Sequence, residues 1–129
     1  MNEPSCRVLV ADDDAMNRLV AAESLKFLGA DVLTVDTGVE ALRLLAQRPV
    51  DLLLMDVHMP DMSGIEATMR IREHERAEGS SRLPIVALTA SATAKDRQSC
   101  LDAGMDAVLT KPFRIEQLSQ LLKVWCRVP

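Results

Sequence analysis

The sequence predicts an α/β domain in which one parallel sheet is covered by helices on both faces. Apolar runs of strand length alternate five times with segments of helical length, which is the pattern of such a sheet. Two of those runs, Val8-Leu9-Val10 and Leu52-Leu53-Leu54-Met55, lead directly into acids, Asp12-Asp13-Asp14 and Asp56. Ligand sites of open parallel sheets form at the carboxyl ends of the strands, so these acids converge if the two strands lie side by side. At 129 residues the chain fits one domain, residues 1–129 with a core of about 7–125.

Strands are expected at about Arg7 to Ala11, Asp31 to Val35, Leu52 to Met55, Ile85 to Leu88 and Ala107 to Thr110. Helix one runs from about Met16 to Leu28 and ends at Gly29, a residue that tolerates the left-handed conformation of a C-cap. Helix two opens with Thr37-Gly38-Val39-Glu40 and helix three with Ser63-Gly64-Ile65-Glu66. In both, hydroxyl and carboxylate are spaced as a capping box, each satisfying a backbone N–H of the other. Helix three ends near Glu78, before Gly79-Ser80-Ser81 and Pro84. Helix four spans about Thr93 to Asp102 and stops at Gly104, and helix five follows Pro112 to about Trp125.

Composition narrows the function classes. With 48% hydrophobic and 26% charged residues the chain is globular, and with only Phe27, Phe113 and Trp125 as aromatics its core must be aliphatic. A net charge of -4 without a Lys/Arg cluster argues against direct nucleic-acid contact. The apolar runs are too short to span a bilayer and the start Met1-Asn2-Glu3-Pro4-Ser5 lacks the plan of a signal peptide, so no membrane contact is expected. Cys6, Cys100 and Cys126 are odd in number and far apart, which suggests neither a disulfide framework nor zinc, but reduced thiols in a cytoplasmic setting.

The strand ends together present Asp12, Asp13, Asp56, Thr89 and Lys111. A carboxylate can attack a phosphoryl group to give an acyl phosphate, provided a metal and cationic donors neutralise the equatorial oxygens. Acids for a hard divalent cation, with a hydroxyl and an ammonium for the phosphoryl oxygens, meet that requirement.

Through Val10-Ala11-Asp12-Asp13-Asp14, Met55-Asp56-Val57-His58-Met59-Pro60, Ala87-Leu88-Thr89-Ala90 and Thr110-Lys111-Pro112-Phe113, the chain resembles a two-component response-regulator receiver domain. Asn17-Arg18, the stretch from Met55 to Gly64 and Cys100-Leu101-Asp102-Ala103-Gly104-Met105-Asp106 resemble most the receivers of hybrid sensor kinases and phosphorelays. The resemblance implies a flavodoxin-like (βα)5 fold with five helices and five parallel strands in the order 2-1-3-4-5. It implies Asp56 as phosphoacceptor and a Mg2+ site, with Mn2+ as an alternative, formed by Asp13, Asp56, the backbone carbonyl of His58 and, through water, Asp12. Thr89 and Lys111 would hold the phosphoryl group, so their removal is expected to affect the phosphorylated state more than the fold. The Lys111-Pro112 bond would be cis.

Such a domain is a switch, not an enzyme with a separate substrate, although it catalyses its own phosphorylation and dephosphorylation. Its partner would be a histidine kinase or a histidine phosphotransfer domain, docking beside helix one at Met16, Asn17, Leu19 and Val20, with Pro112 and Phe113 near the same mouth. The chain reads either as a free-standing regulator or as a receiver from a longer protein.

Two positions depart from the family pattern. Asp14 is a fourth acid, read as the cap of helix one. Val108 stands where an aromatic usually follows the threonine's movement, which puts that form of readout in doubt. His58 and Ser91, each two residues past a site residue, read as side chains that tune water access. His74 lies in the highly charged stretch Arg70 to Glu78 and reads as solvated surface, and Cys100 as a packed thiol. A phosphatase of the haloacid dehalogenase type would want Asp-x-Asp-x-Thr after the first strand; Asp12 and Asp14 fit, but Met16 replaces the threonine. A phosphorylation-independent interaction module would not need the intact acidic set.

Overall fold

The computed structural model describes residues 6–91 and 93–126. Its strands are β1 (Arg7–Ala11), β2 (Asp31–Val35), β3 (Leu52–Asp56), β4 (Ile85–Thr89) and β5 (Ala107–Thr110). The helices are α1 (Ala15–Phe27), α2 (Gly38–Gln47), α3 (Gly64–Glu78), α4 (Ala94–Ala103) and α5 (Ile115–Leu121), the last continued by a π-helical turn over Leu122–Cys126. All strand pairs are parallel, in the order β2-β1-β3-β4-β5 that the resemblance implied.

Alternation along the strands divides the core in two. Leu9, Leu53, Met55, Ile85 and Ala87 pack on one face with Ala41, Ala67, Ile71 and Cys100 from α2, α3 and α4. Val8, Val10, Leu52, Leu54, Val86 and Leu88 pack on the other with Ala21 and Leu25 of α1 and Leu118 of α5. β1, β3 and β4 are therefore buried on both sides, which is why their sequences are almost unbroken runs of aliphatic residues. The register Ala11↔Met55 between β1 and β3 places the acids that follow, Asp12 and Asp56, at the same edge.

Helix starts follow the sequence reading in position but not in every bond. Thr37 accepts from the Glu40 N–H at 3.1 Å and Ser63 from the Glu66 N–H at 3.1 Å. The reciprocal halves of the capping boxes are replaced: the Glu40 carboxylate pairs with Arg43 and that of Glu66 with Arg70, one turn along. At these spacings the guanidinium lies on the same helix face as the carboxylate, within reach of it. Asp14 caps α1, accepting from the Asn17 N–H at 3.0 Å, as expected. Gly79 and Gly104 end α3 and α4 in the left-handed conformation, at φ 67° and 109°.

Within the charged stretch of α3, His74 is exposed, as the sequence predicts, whereas Arg72 is buried. Its guanidinium donates to the Gly104 carbonyl and to Glu75 and Asp106, each at 2.9 Å, and so clamps α3 to the α4–β5 connection. The expectation of reduced thiols without a disulfide is overturned. Cys6 and Cys126 form a disulfide, their Cα atoms 5.8 Å apart, because the sheet brings the start of β1 against the end of the C-terminal helix. Cys100 alone is free, and it is buried.

Candidate functional site

β1 and β3 run out at one sheet edge and deliver three acids to it. Asp12, Asp13 and Asp56 each place a carboxylate oxygen within 4.8 Å of the others. Asp12 and Asp56 are buried, whereas Asp13 faces solvent at the mouth. From the end of β5, Lys111 reaches across the sheet, its Nζ 2.9 Å from Asp12 Oδ2 and 3.5 Å from Asp56 Oδ2. The Lys111-Pro112 peptide bond is cis.

The neighbouring backbone is held as tightly. Asp12 Oδ1 accepts from the Asp14 N–H at 2.9 Å, and Asp56 Oδ1 from the His58 N–H at 3.2 Å. A Cβ on Gly64 would overlap the Asp56 carbonyl oxygen and come 2.9 Å from Met55 Cγ, so only glycine lets the start of α3 lie against the strand end. Arg18 Nη1 donates to the Asp12 carbonyl at 2.8 Å and pins the acidic loop. The sequence reading assigned neither of these last two a role; Arg18 was signalled by its place one helical turn after the cap Asp14, from which a long side chain reaches back over the loop.

At the end of β4 the buried Thr89 hydroxyl donates to the Ser91 carbonyl at 3.0 Å and accepts from the Ser91 N–H at 3.2 Å. The exposed Ser91 side chain donates to Asp96 Oδ2 at 2.6 Å, in the first turn of α4. His58 is exposed, and Val108, half-buried, packs toward the core opposite Ala87. Asp14 is spent on the α1 cap and Met16 is exposed, so the Asp-x-Asp pair of a haloacid dehalogenase site is not assembled.

The electrostatics follow from this crowding. Burial first, then the negative charge of Asp12, pushes the Asp56 carboxyl up to about 6, with Lys111 and the His58 N–H working in the other direction. Burial also works against the Lys111 ammonium, but the Asp12 hydrogen bond and the charges of Asp56 and Asp12 outweigh it and hold its pKa above the ordinary lysine value. One ammonium against three carboxylates leaves a net negative site built of oxygens, and that donor set fits a hard divalent cation.

Known proteins place this arrangement. The family model for the response regulator receiver domain matches residues 8–123. The sensor protein GacS of Pseudomonas syringae pv. syringae is 45% identical over 119 residues, covering 92% of this chain and 13% of GacS. The sensor histidine kinase RcsC of Salmonella typhi is 41% identical over 118 residues, covering 92% of this chain and 12% of RcsC. The chain thus spans only a small part of the length of these relatives. Among solved structures, the magnesium-bound receiver domain of the sensor histidine kinase PA1611 from Pseudomonas aeruginosa superposes with a TM-score of 0.84 at 37% identity, covering 95% of this chain and 98% of that one. The Ssk1 receiver of Saccharomyces cerevisiae, solved with the phosphotransfer protein Ypd1, gives a TM-score of 0.91 at 29% identity over 100% of this chain and 95% of that one. With the family's sheet order, acids at the ends of β1 and β3 and a lysine after β5, the chain belongs to the response regulator receiver domains of two-component signalling.

Proposed function

We propose that Asp56 is the phosphoacceptor and that it takes its phosphoryl group from the phosphohistidine of a histidine kinase or a histidine phosphotransfer domain. One observation carries the reading: three carboxylates whose oxygens lie within 4.8 Å of one another, with Lys111 set against two of them. An Asp56 oxygen forms the new bond to phosphorus as the bond from phosphorus to the donor imidazole nitrogen breaks, and the imidazole leaves with that electron pair. Asp12, Asp13, Asp56 and the His58 carbonyl would hold Mg2+, or Mn2+, which neutralises charge on the phosphoryl oxygens when bound. Lys111 exchanges its contact with Asp56 for one with a phosphoryl oxygen. Thr89 gives up its bond to the Ser91 carbonyl to donate to another, and the Ser91–Asp96 link passes that movement to α4, a route that needs no aromatic at Val108 of β5.

His58 and Ser91, both exposed beside the site, tune the access of water to the acyl phosphate and so its lifetime. The domain is a signalling module that catalyses its own modification and hydrolysis. On the strength of its phosphohistidine donor we place the domain in the cytoplasm, with no direct nucleic-acid contact and no membrane contact of its own. The phosphotransfer partner of the Ssk1 receiver supports a donor of that class here.

The test is intact-protein mass spectrometry after incubation with acetyl phosphate and MgCl2. The parent gains one phosphoryl group, while Asp56→Asn and chelated samples gain none. Equal labelling of Asp56→Asn sinks the assignment.

A further inference from the structure

The loop between β3 and α3, residues 57–63, carries a carboxylate that the site does not use. Asp61 accepts from the Gly38 N–H through Oδ1 at 3.1 Å and from the Val39 N–H through Oδ2 at 2.9 Å. These are the first two amides of α2, which have no acceptor within their own helix. The side chain of Thr37, the residue at the cap position of α2, serves only the Glu40 N–H. Backbones meet at the same place: a Cβ on Gly38 would lie 3.0 Å from the Met62 carbonyl oxygen and 3.1 Å from Met62 Cβ. A donated amide bond on each oxygen, Val39 first, holds the Asp61 carboxyl below the usual carboxylate range, so it accepts both bonds as a charged group.

The loop is therefore fixed three times. At its start the His58 N–H donates to Asp56 Oδ1, at its end the Gly64 N–H donates to the Val57 carbonyl at 2.9 Å, and between them Asp61 docks it on α2. The His58 carbonyl lies between the first of these anchors, its own N–H, and Asp61. We propose that Asp61 is a positioning residue for the metal site: by tying the β3–α3 loop to the N-terminus of α2, it sets where the His58 carbonyl stands relative to Asp12, Asp13 and Asp56. This inference rests on the metal-site reading given above. Side chains that orient a ligand from behind commonly change metal affinity by an order of magnitude or more when removed.

Titration of the chain with MgCl2, followed by NMR and calorimetry well below the melting temperature, separates positioning from simple helix capping. Asp61→Ala should bind Mg2+ about tenfold more weakly. Asp61→Asn keeps an acceptor oxygen for one of the two amides and should fall between that variant and the parent. Thr37→Ala loosens the same helix end without touching the loop, so it should lower the melting temperature comparably and leave Mg2+ affinity unchanged. Parent-like Mg2+ binding by Asp61→Ala, or an equal loss in Thr37→Ala, overturns the positioning role. Asp13→Ala distinguishes the two levels. If the parent binds no Mg2+, or Asp13→Ala binds it like the parent, the metal-site reading falls and the inference with it. If Asp13→Ala loses binding while Asp61→Ala does not, the positioning role alone is wrong.

Discussion

At the scale of single residues, Asp56 sits in an environment that favours its neutral form. Its carboxyl is raised to about 6 from the ordinary 3.8, by burial first and by Asp12 next. A carboxyl raised on folding binds its proton more tightly in the folded state, so its contribution to stability is complete below about 4 and is lost as pH rises through about 6. The metal-free domain should therefore lose stability across that interval, and Asp56→Asn should not. At pH 7 without metal the Asn variant should be the more stable, by on the order of 1 kcal/mol. Urea unfolding of both proteins at pH 4, 5, 6 and 7 checks this, and a gap independent of pH rules it out. Lys111 has more to do in the unmodified domain than the sequence suggested. It already neutralises two buried acids, so Lys111→Ala should cost about 2 kcal/mol without metal as well as abolishing the NMR response to beryllofluoride. MgCl2 should restore part of that stability. A Lys111→Ala melting curve equal to the parent's in chelator would show that the pairs contribute nothing.

At the scale of elements, α1 has two kinds of face. Ala21 and Leu25 are buried beneath it, whereas Met16, Leu19 and Val20 are exposed, Leu19 at 56%. The same helix begins at the acidic loop, through the Asp14 cap and the Arg18 bond to the Asp12 carbonyl. A phosphohistidine partner docked on this face would have its imidazole near Asp56, with the exposed apolar side chains as anchors inside a polar rim. Leu19→Asp should slow phosphotransfer from a protein donor about tenfold while leaving labelling by acetyl phosphate nearly unchanged. Equal slowing of both reactions would indicate a damaged fold, and no slowing of either would remove this face from the docking surface.

At the scale of the whole molecule, the Cys6–Cys126 disulfide joins positions 120 residues apart and closes almost the entire chain into one loop. A cross-link of that span restricts the unfolded chain strongly, and opening it should cost about 2–4 kcal/mol. Thermal melts with and without dithiothreitol, together with alkylation of the denatured protein, provide the check. The unreduced protein should yield one reactive thiol, Cys100, and the reduced protein three. Three reactive thiols without reductant would show that the pair is open.

The sequence by itself determined the three central strands, because β1, β3 and β4 are buried on both faces and must be aliphatic throughout, with Asp and Thr standing out where those runs end. The caps Asp14, Thr37 and Ser63 were legible for a similar reason, since each acts on an amide three residues away. What only the tertiary structure decided are the contacts between residues distant along the chain. Arg72 reads as one more charge in a charged helix until the fold sets Asp106 and the Gly104 carbonyl around it. Cys6 and Cys126 have no local spacing that pairs them, and Asp61 reads as a loop acid until α2 is seen to begin against it. Local bonds and periodic burial leave a pattern in neighbouring residues, whereas the meeting of distant segments depends on how the packed layers align, which no single stretch of sequence encodes.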